Sequence, residues 1–91
     1  MIHIITYDIE DDKVRNQISK ILESYGIRVQ ESVFECNLSP KLYNELLTQL
    51  RQFNKGNISI RIYPVCKDCY SKAMGIGEIK EYPGLKGYEI I

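Results

Sequence analysis

At 91 residues, with 44% hydrophobic and 26% charged side chains, the chain has the size and composition of one globular domain. Its 12 basic and 12 acidic residues cancel to a net charge of zero, which excludes the strongly basic profile of a general nucleic-acid binder. No apolar run reaches transmembrane length, and Met1 leads straight into strand-like sequence instead of a secretory leader. Three cysteines, an odd count, read as reduced thiols, so a soluble cytoplasmic protein with no membrane association is expected.

Residues 2–8 read as the first strand. His3 is the only polar side chain before Thr6, so both faces are largely apolar, as in a central strand. The strand runs through Ile4-Ile5-Thr6-Tyr7-Asp8-Ile9 and ends on a carboxylate. Glu10, Asp11 and Asp12 follow before any basic residue. The spacing predicts a helix over 12–25, capped by Asp11 or Asp12. Val14, Ile18, Ile21, Leu22 and Tyr25 share one of its faces, and Gly26 stands where a helix-ending glycine belongs.

Residues 27–38 alternate, but the phase shifts. Ile27 and Val29 are apolar at odd positions, and Phe34, Cys36 and Leu38 at even ones. A strand with one buried face needs a turn or a bulge to do this. The reading is a hairpin, with strands at 27–30 and 32–38 turning near Gln30-Glu31-Ser32; one bulged strand is the alternative. Ser39-Pro40 is a helix start, with Ser as N-cap and Pro at the first helical position. Tyr43, Leu46, Leu47 and Leu50 carry that helix to about Phe53. A turn at 54–57 leads into a strand at 58–63, where Ile58, Ile60 and Ile62 alternate with Ser59, Arg61 and Tyr63 and Pro64 is expected to end it.

The order is βαββαβ, an α+β, ferredoxin-like arrangement in one domain over 1–91. Its sheet order is four-one-three-two, with both helices on one face and the other face bare. A bare face of mixed character on so short a chain suggests a homodimer. Residues 65–91 form a C-terminal extension. Within it 76–82 is a candidate extra strand, suited to pairing with a sheet edge on the partner protomer. The topology gathers Asp8, the start of the first helix, the hairpin tip near Ser32 and the start of the fourth strand near Asn57 on one edge.

Two roles are open to Asp8. A carboxylate fixed by a strand and left open by a loop suits a divalent cation, and two Asp8 side chains across a dimer axis would make a fuller site. Alternatively, Asp8 orders the loop before the helix. Cys66-x-x-Cys69 has zinc-like spacing, but only Cys36 and His3 remain as further ligands and both fall on distant strands, so no zinc is expected; the thioredoxin-like context of a redox pair is missing too, and the two read as small thiols closing a turn. His3 reads as a packed residue, not a catalytic base. Arg15, Arg28, Arg61, Lys13 and Lys20 are candidate phosphate contacts, and Tyr7 and Phe34 are candidate base-stacking rings, against a plain reading as surface and core.

Four segments in order carry a resemblance: Tyr7-Asp8-Ile9; Asp11-Asp12-Lys13 with Arg15-Asn16; Tyr25-Gly26 with Arg28 through Cys36; and Ser59 through Pro64. From Met1 to about Cys69 the chain closely resembles the CRISPR-associated Cas-two family, the small subunit of the spacer-acquisition machinery in antiviral defence. The resemblance implies a ferredoxin-like homodimer whose C-terminal strand crosses to the partner. It implies a metal-dependent endonuclease acting on single-stranded RNA or double-stranded DNA. Asp8 matches the catalytic carboxylate that binds Mg²⁺ between protomers, and Tyr7, Arg15, Arg28 and Phe34 match positions near it or at the nucleic acid. A further implied partner is the Cas-one integrase. The alternative within this biology is a non-catalytic dimeric scaffold that bridges integrase dimers and holds DNA. Outside it stands a small ferredoxin-like regulatory domain that binds a metabolite.

Overall fold

The computed structural model describes residues 1–79 and the backbone of Glu89–Ile90. Strand β1 (Ile2–Ile9) lies at the centre of a four-stranded antiparallel sheet of order β2-β3-β1-β4. Its neighbours are β3 (Val33–Asn37) and β4 (Ile58–Val65), and β2 (Ile27–Gln30) is the far edge. Helices α1 (Asp12–Glu23) and α2 (Pro40–Arg51) supply Ile18, Leu22, Leu46 and Leu50 to a core shared with Ile5, Tyr7, Ile9, Phe34 and Cys36. This is the ferredoxin-like order that the sequence pattern predicts.

Local chemistry accounts for the element starts. Asp11 caps α1 by accepting from Val14 N–H at 3.0 Å. Ser39 caps α2 by accepting from Leu42 N–H at 3.2 Å, with Pro40 in the first turn. Each cap satisfies a backbone donor that has no partner within its helix. The last turns of α2 are tied to the turn that follows α1 by Gln49 Nε2, which donates to the Tyr25 hydroxyl at 2.6 Å.

Residues 27–37 are a hairpin that also contains a bulge. The β2–β3 register shifts between Arg28 and Gln30, with Glu31 and Ser32 in the turn. The bulge absorbs the phase change seen in the sequence. Pro64 does not end β4: it pairs in register with His3, and the strand continues to Val65. An edge strand tolerates proline because its outward side needs no N–H donor.

Gly26 has a different reason from the one expected. Helix α1 ends at Ser24 in ordinary right-handed geometry, and Gly26 itself has no positive φ. A Cβ at Gly26 would lie 2.4 Å from both Cys36 Sγ and the Glu35 carbonyl oxygen. The residue is glycine because β3 passes too close for a side chain. Gly26→Ala is therefore expected to cost about 1–3 kcal/mol, read as a drop in the denaturant midpoint. An unchanged midpoint would mean that β3 yields freely at this contact.

The sheet face away from α1 and α2 is not entirely bare. A short helix, α3 (Lys67–Ser71), follows β4, and its Tyr70 is buried with its hydroxyl donating to Glu35 Oε1 at 2.6 Å. Glu35 alternates with core residues Phe34 and Cys36, so Tyr70 lies over the opposite face. The rest of that face carries Ser59, Arg61 and Tyr63, all exposed, with Arg61 Nη1 donating to the Tyr63 hydroxyl at 3.3 Å. After α3 a two-residue strand, β5 (Met74–Gly75), pairs in parallel with β6 (Glu89–Ile90) of the same chain. Residues 76–79 are not strand, and the remainder of the expected 76–82 segment lies outside the described residues.

Candidate metal and nucleic-acid site

Pairing on both sides fixes the end of β1. Asp8 is in register with Ser59, Thr6 with both Val33 and Arg61, and Tyr7 N–H donates to the Ser32 carbonyl at 3.2 Å. Asp8, the start of α1, the hairpin tip and the start of β4 therefore meet at one edge. The Asp8 side chain is exposed and has no hydrogen-bond or ion-pair partner among the described residues. The neighbouring acids are engaged differently. Asp11 is the helix cap, and Asp12 pairs with Arg15. So the capping role considered for Asp8 belongs to Asp11.

Of the three candidate arginines, Arg61 lies on the open sheet face, while Arg15 and Arg28, both partly exposed, turn donors towards the protein's own groups. Arg15 Nη1 donates to the Ile9 carbonyl at 3.0 Å, and Arg15 Nη2 meets Asp12. This braces the loop that follows Asp8. Arg28 Nη1 donates to the Glu31 carbonyl at 2.8 Å, while Nη2 meets Ser19 Oγ and lies 3.4 Å from Glu23 Oε1. The Arg28 guanidinium also lies 5.2 Å from the Phe34 ring centroid. One side chain thus clamps the hairpin turn to α1.

The two rings are supports, not open stacking surfaces. Phe34 is fully buried and Tyr7 nearly so. Their centroids are 6.3 Å apart, and the Tyr7 hydroxyl donates to the Glu31 carbonyl at 3.4 Å. Base stacking by Phe34 is incompatible with this burial; its ring carries Arg28 instead.

Tyr7, Asp8, Arg15 and Arg28 line one concavity of about 570 Å³, together with Ile9, Asn16, Ser19, Glu31 and Ser32. The last four were not singled out from sequence as site residues. A signal for two of them was present: Asp12, Arg15, Asn16, Ser19 and Glu23 form a polar stripe at helical spacing beside the apolar one. Ser19 is buried on this stripe because Arg28 covers it.

A single carboxylate oxygen donor such as Asp8 is of the type a hard cation takes. Mg²⁺ takes one or two carboxylates and completes its shell with water, and Asp8 offers a fixed, open carboxylate. Among the described residues no three His, Cys, Asp or Glu side chains group as ligands, so one protomer does not form a closed cage. His3 and Cys36, by contrast, face each other across β1 and β3 inside the fold.

His3 stacks on Tyr43 with centroids 4.6 Å apart, and burial holds its pKa below the ordinary value, outweighing the Met1 carbonyl near Nδ1. The unfolded chain therefore takes up the proton first. Stability is full above about pH 6.5 and declines as the pH falls through that value towards the lower folded one. Melting temperatures measured between pH 8 and pH 5 should show this decline, and His3→Phe should flatten it. An unaltered slope in His3→Phe would assign the decline to other groups.

The fold and this edge define an α+β, ferredoxin-like protein whose central strand ends on an open carboxylate beside an arginine-braced concavity. No helix among the described residues is long and apolar enough to cross a membrane. The family model for CRISPR associated protein Cas2 matches residues 1–73, and the chain belongs to that family. A CRISPR-associated endoribonuclease Cas2 of Synechocystis sp. is 46% identical over 65 residues, covering 70% of this chain and 71% of the relative. The crystal structure of Streptococcus pyogenes Cas2 superposes with a TM-score of 0.67 at 32% identity, over 75% of this chain and 89% of that one. A chain of a partial Cas6-RT-Cas1–Cas2 complex gives a TM-score of 0.69 at 33% identity, over 79% and 86% of the two chains.

Proposed function

We propose that the protein is a Mg²⁺-dependent endonuclease of CRISPR adaptation, cleaving phosphodiester bonds in single-stranded RNA or double-stranded DNA. It acts as a homodimer and works with the Cas1 integrase in inserting spacer DNA. The observation that carries this reading is the state of Asp8: strand-fixed, exposed and without an internal partner, while Asp11 and Asp12 serve the helix start. Relatives named endoribonucleases and a structural neighbour in a complex with Cas1 support it.

In this reading Asp8 holds the cation, and the partner protomer supplies the second Asp8. When bound there, such a cation would supply charge neutralisation at the scissile phosphate and a more acidic water. Arg15 fixes the loop behind Asp8, and Arg28 fixes the hairpin across from it. Asn16 and Ser32 line the same concavity with polar side chains that can orient a sugar or phosphate.

A second reading, the non-catalytic scaffold, is favoured by one observation. Arg15 and Arg28 spend part of their donors on the protein's own carbonyls, and no full ligand set stands around Asp8 among the described residues. The two are separated by assaying wild type and Asp8→Ala for Mg²⁺-dependent cleavage of RNA and duplex DNA, and for spacer integration with Cas1 present. Cleavage lost and integration retained supports separate catalytic and architectural roles. Cleavage that survives in Asp8→Ala removes Asp8 as the catalytic ligand. A chain that shifts neither RNA nor DNA at low salt belongs with metabolite-binding domains instead.

A further inference from the structure

The cysteines of the C-terminal region take no part in the site above. Cys66 is the N-cap of α3, with its Sγ accepting from Cys69 N–H at 3.3 Å. That contact folds the two cysteines onto one helical turn. Both are exposed, whereas Cys36 is buried in the core. We propose that Cys66 and Cys69 are a disulfide-forming site that reacts with low-molecular-weight disulfides, such as oxidised glutathione, and closes to an intrachain bond.

The two sulfurs have different roles. The Cys69 N–H holds the Cys66 thiol below its ordinary pKa, and the neighbouring Cys66 sulfur pushes Cys69 up. Cys66 is therefore the attacking thiolate and Cys69 the resolving thiol. Cys66 Sγ attacks one sulfur of the glutathione disulfide, its S–S bond breaks, and one glutathione thiolate leaves. Cys69 then loses its proton and attacks Cys66 Sγ, expelling the second thiolate. Two protein thiols are oxidised to one disulfide and one glutathione disulfide is reduced to two thiols. The two protons lost by the cysteines end on the two leaving groups.

The bond has a structural consequence. Tyr70 N–H donates to the Cys66 carbonyl at 2.9 Å, and the Tyr70 ring anchors α3 on the sheet through Glu35. Closing Cys66 to Cys69 ties the turn from which Tyr70 projects. Oxidation thus fastens α3 over the open sheet face at the point where the chain leaves β4. Neither step depends on the endonuclease reading.

The test uses the full chain, freed of metal by a chelator and incubated with oxidised glutathione. Thiols are then alkylated after unfolding and the products read by mass spectrometry. The expected product has Cys36 as its one alkylated residue, lacks two hydrogens in the peptide holding Cys66 and Cys69, and carries no glutathione. Cys66→Ser and Cys69→Ser should each retain glutathione on the remaining exposed cysteine. Hydrogen exchange at the Tyr70 amide should slow several-fold in the oxidised chain. Stable glutathione on the wild-type pair, cross-linking between chains, or three alkylated cysteines would overturn the assignment. Unchanged Tyr70 exchange in a chain that does form the bond would overturn the fastening of α3.

Discussion

Replacing Asp8 with Ala should abolish Mg²⁺-dependent cleavage while leaving the melting temperature where it was. The side chain is exposed and has no hydrogen-bond or ion-pair partner among the described residues, so its loss should change stability by no more than about 0.5 kcal/mol. Its loss as the proposed ligand is another matter. Disturbing a residue that merely supports a metal ligand costs about 10–100-fold, and removing a direct ligand should exceed that. Asp8→Asn keeps one oxygen, so extra Mg²⁺ should restore part of its rate but none of that of Asp8→Ala. Asp11→Ala is the matched control: it removes the helix cap, costs about 1 kcal/mol and should preserve the rate per folded molecule. If Asp8→Ala instead unfolds like Asp11→Ala, Asp8 is a loop-ordering residue. If it folds and still cuts, the catalytic ligand lies elsewhere.

The contrast between these acids shows what the sequence could and could not convey. Four acids fall within five positions, and helix periodicity begins close enough that Asp11 and Asp12 are both plausible caps. Which one accepts from the third helical N–H depends on where the first turn begins, and in the fold it begins at Asp12. Asp8 was separable from the others because it ends a run of strand residues. Its freedom from partners is a property of the folded edge. The helix starts at Asp11 and Ser39-Pro40 were legible because capping is a local reaction between neighbours.

Features set by distant contacts were read less well. Pro64 looked like a strand end because alternation says nothing of which side of β4 is paired. Helix α3 is five residues long, too short for periodicity, and its cap is a cysteine. Arg28 looked like a phosphate ligand because a lone arginine on a strand gives no hint of its direction. Its alignment with Phe34, next to the bulge in β2, turns it towards α1. There it meets Ser19, a polar residue whose burial had no explanation within its own helix.

Phe34→Ala should be strongly destabilising. The ring is fully buried among Ile5, Tyr7, Ile18 and Leu22 of the core. Truncation of such a ring costs about 3–5 kcal/mol, a large part of the ~5–15 kcal/mol that holds a domain together. It also removes the surface under Arg28, and with it the clamp from the hairpin turn to α1. At roughly 4–8 °C per kcal/mol for a domain of this size, the melting temperature should fall by more than about 12 °C. A second variant separates core from contact. Phe34→Leu keeps an apolar side chain of similar burial and should stay folded. A ring that stacks on a base is worth about 1–3 kcal/mol, so a stacking role predicts at least a ~5-fold loss of nucleic-acid affinity in the folded Phe34→Leu chain. The buried ring predicts an affinity within about twofold of wild type, because a side chain with no exposed surface has no face to offer. A folded Phe34→Leu chain that binds RNA or DNA much more weakly would require the hairpin to open on binding and expose the ring.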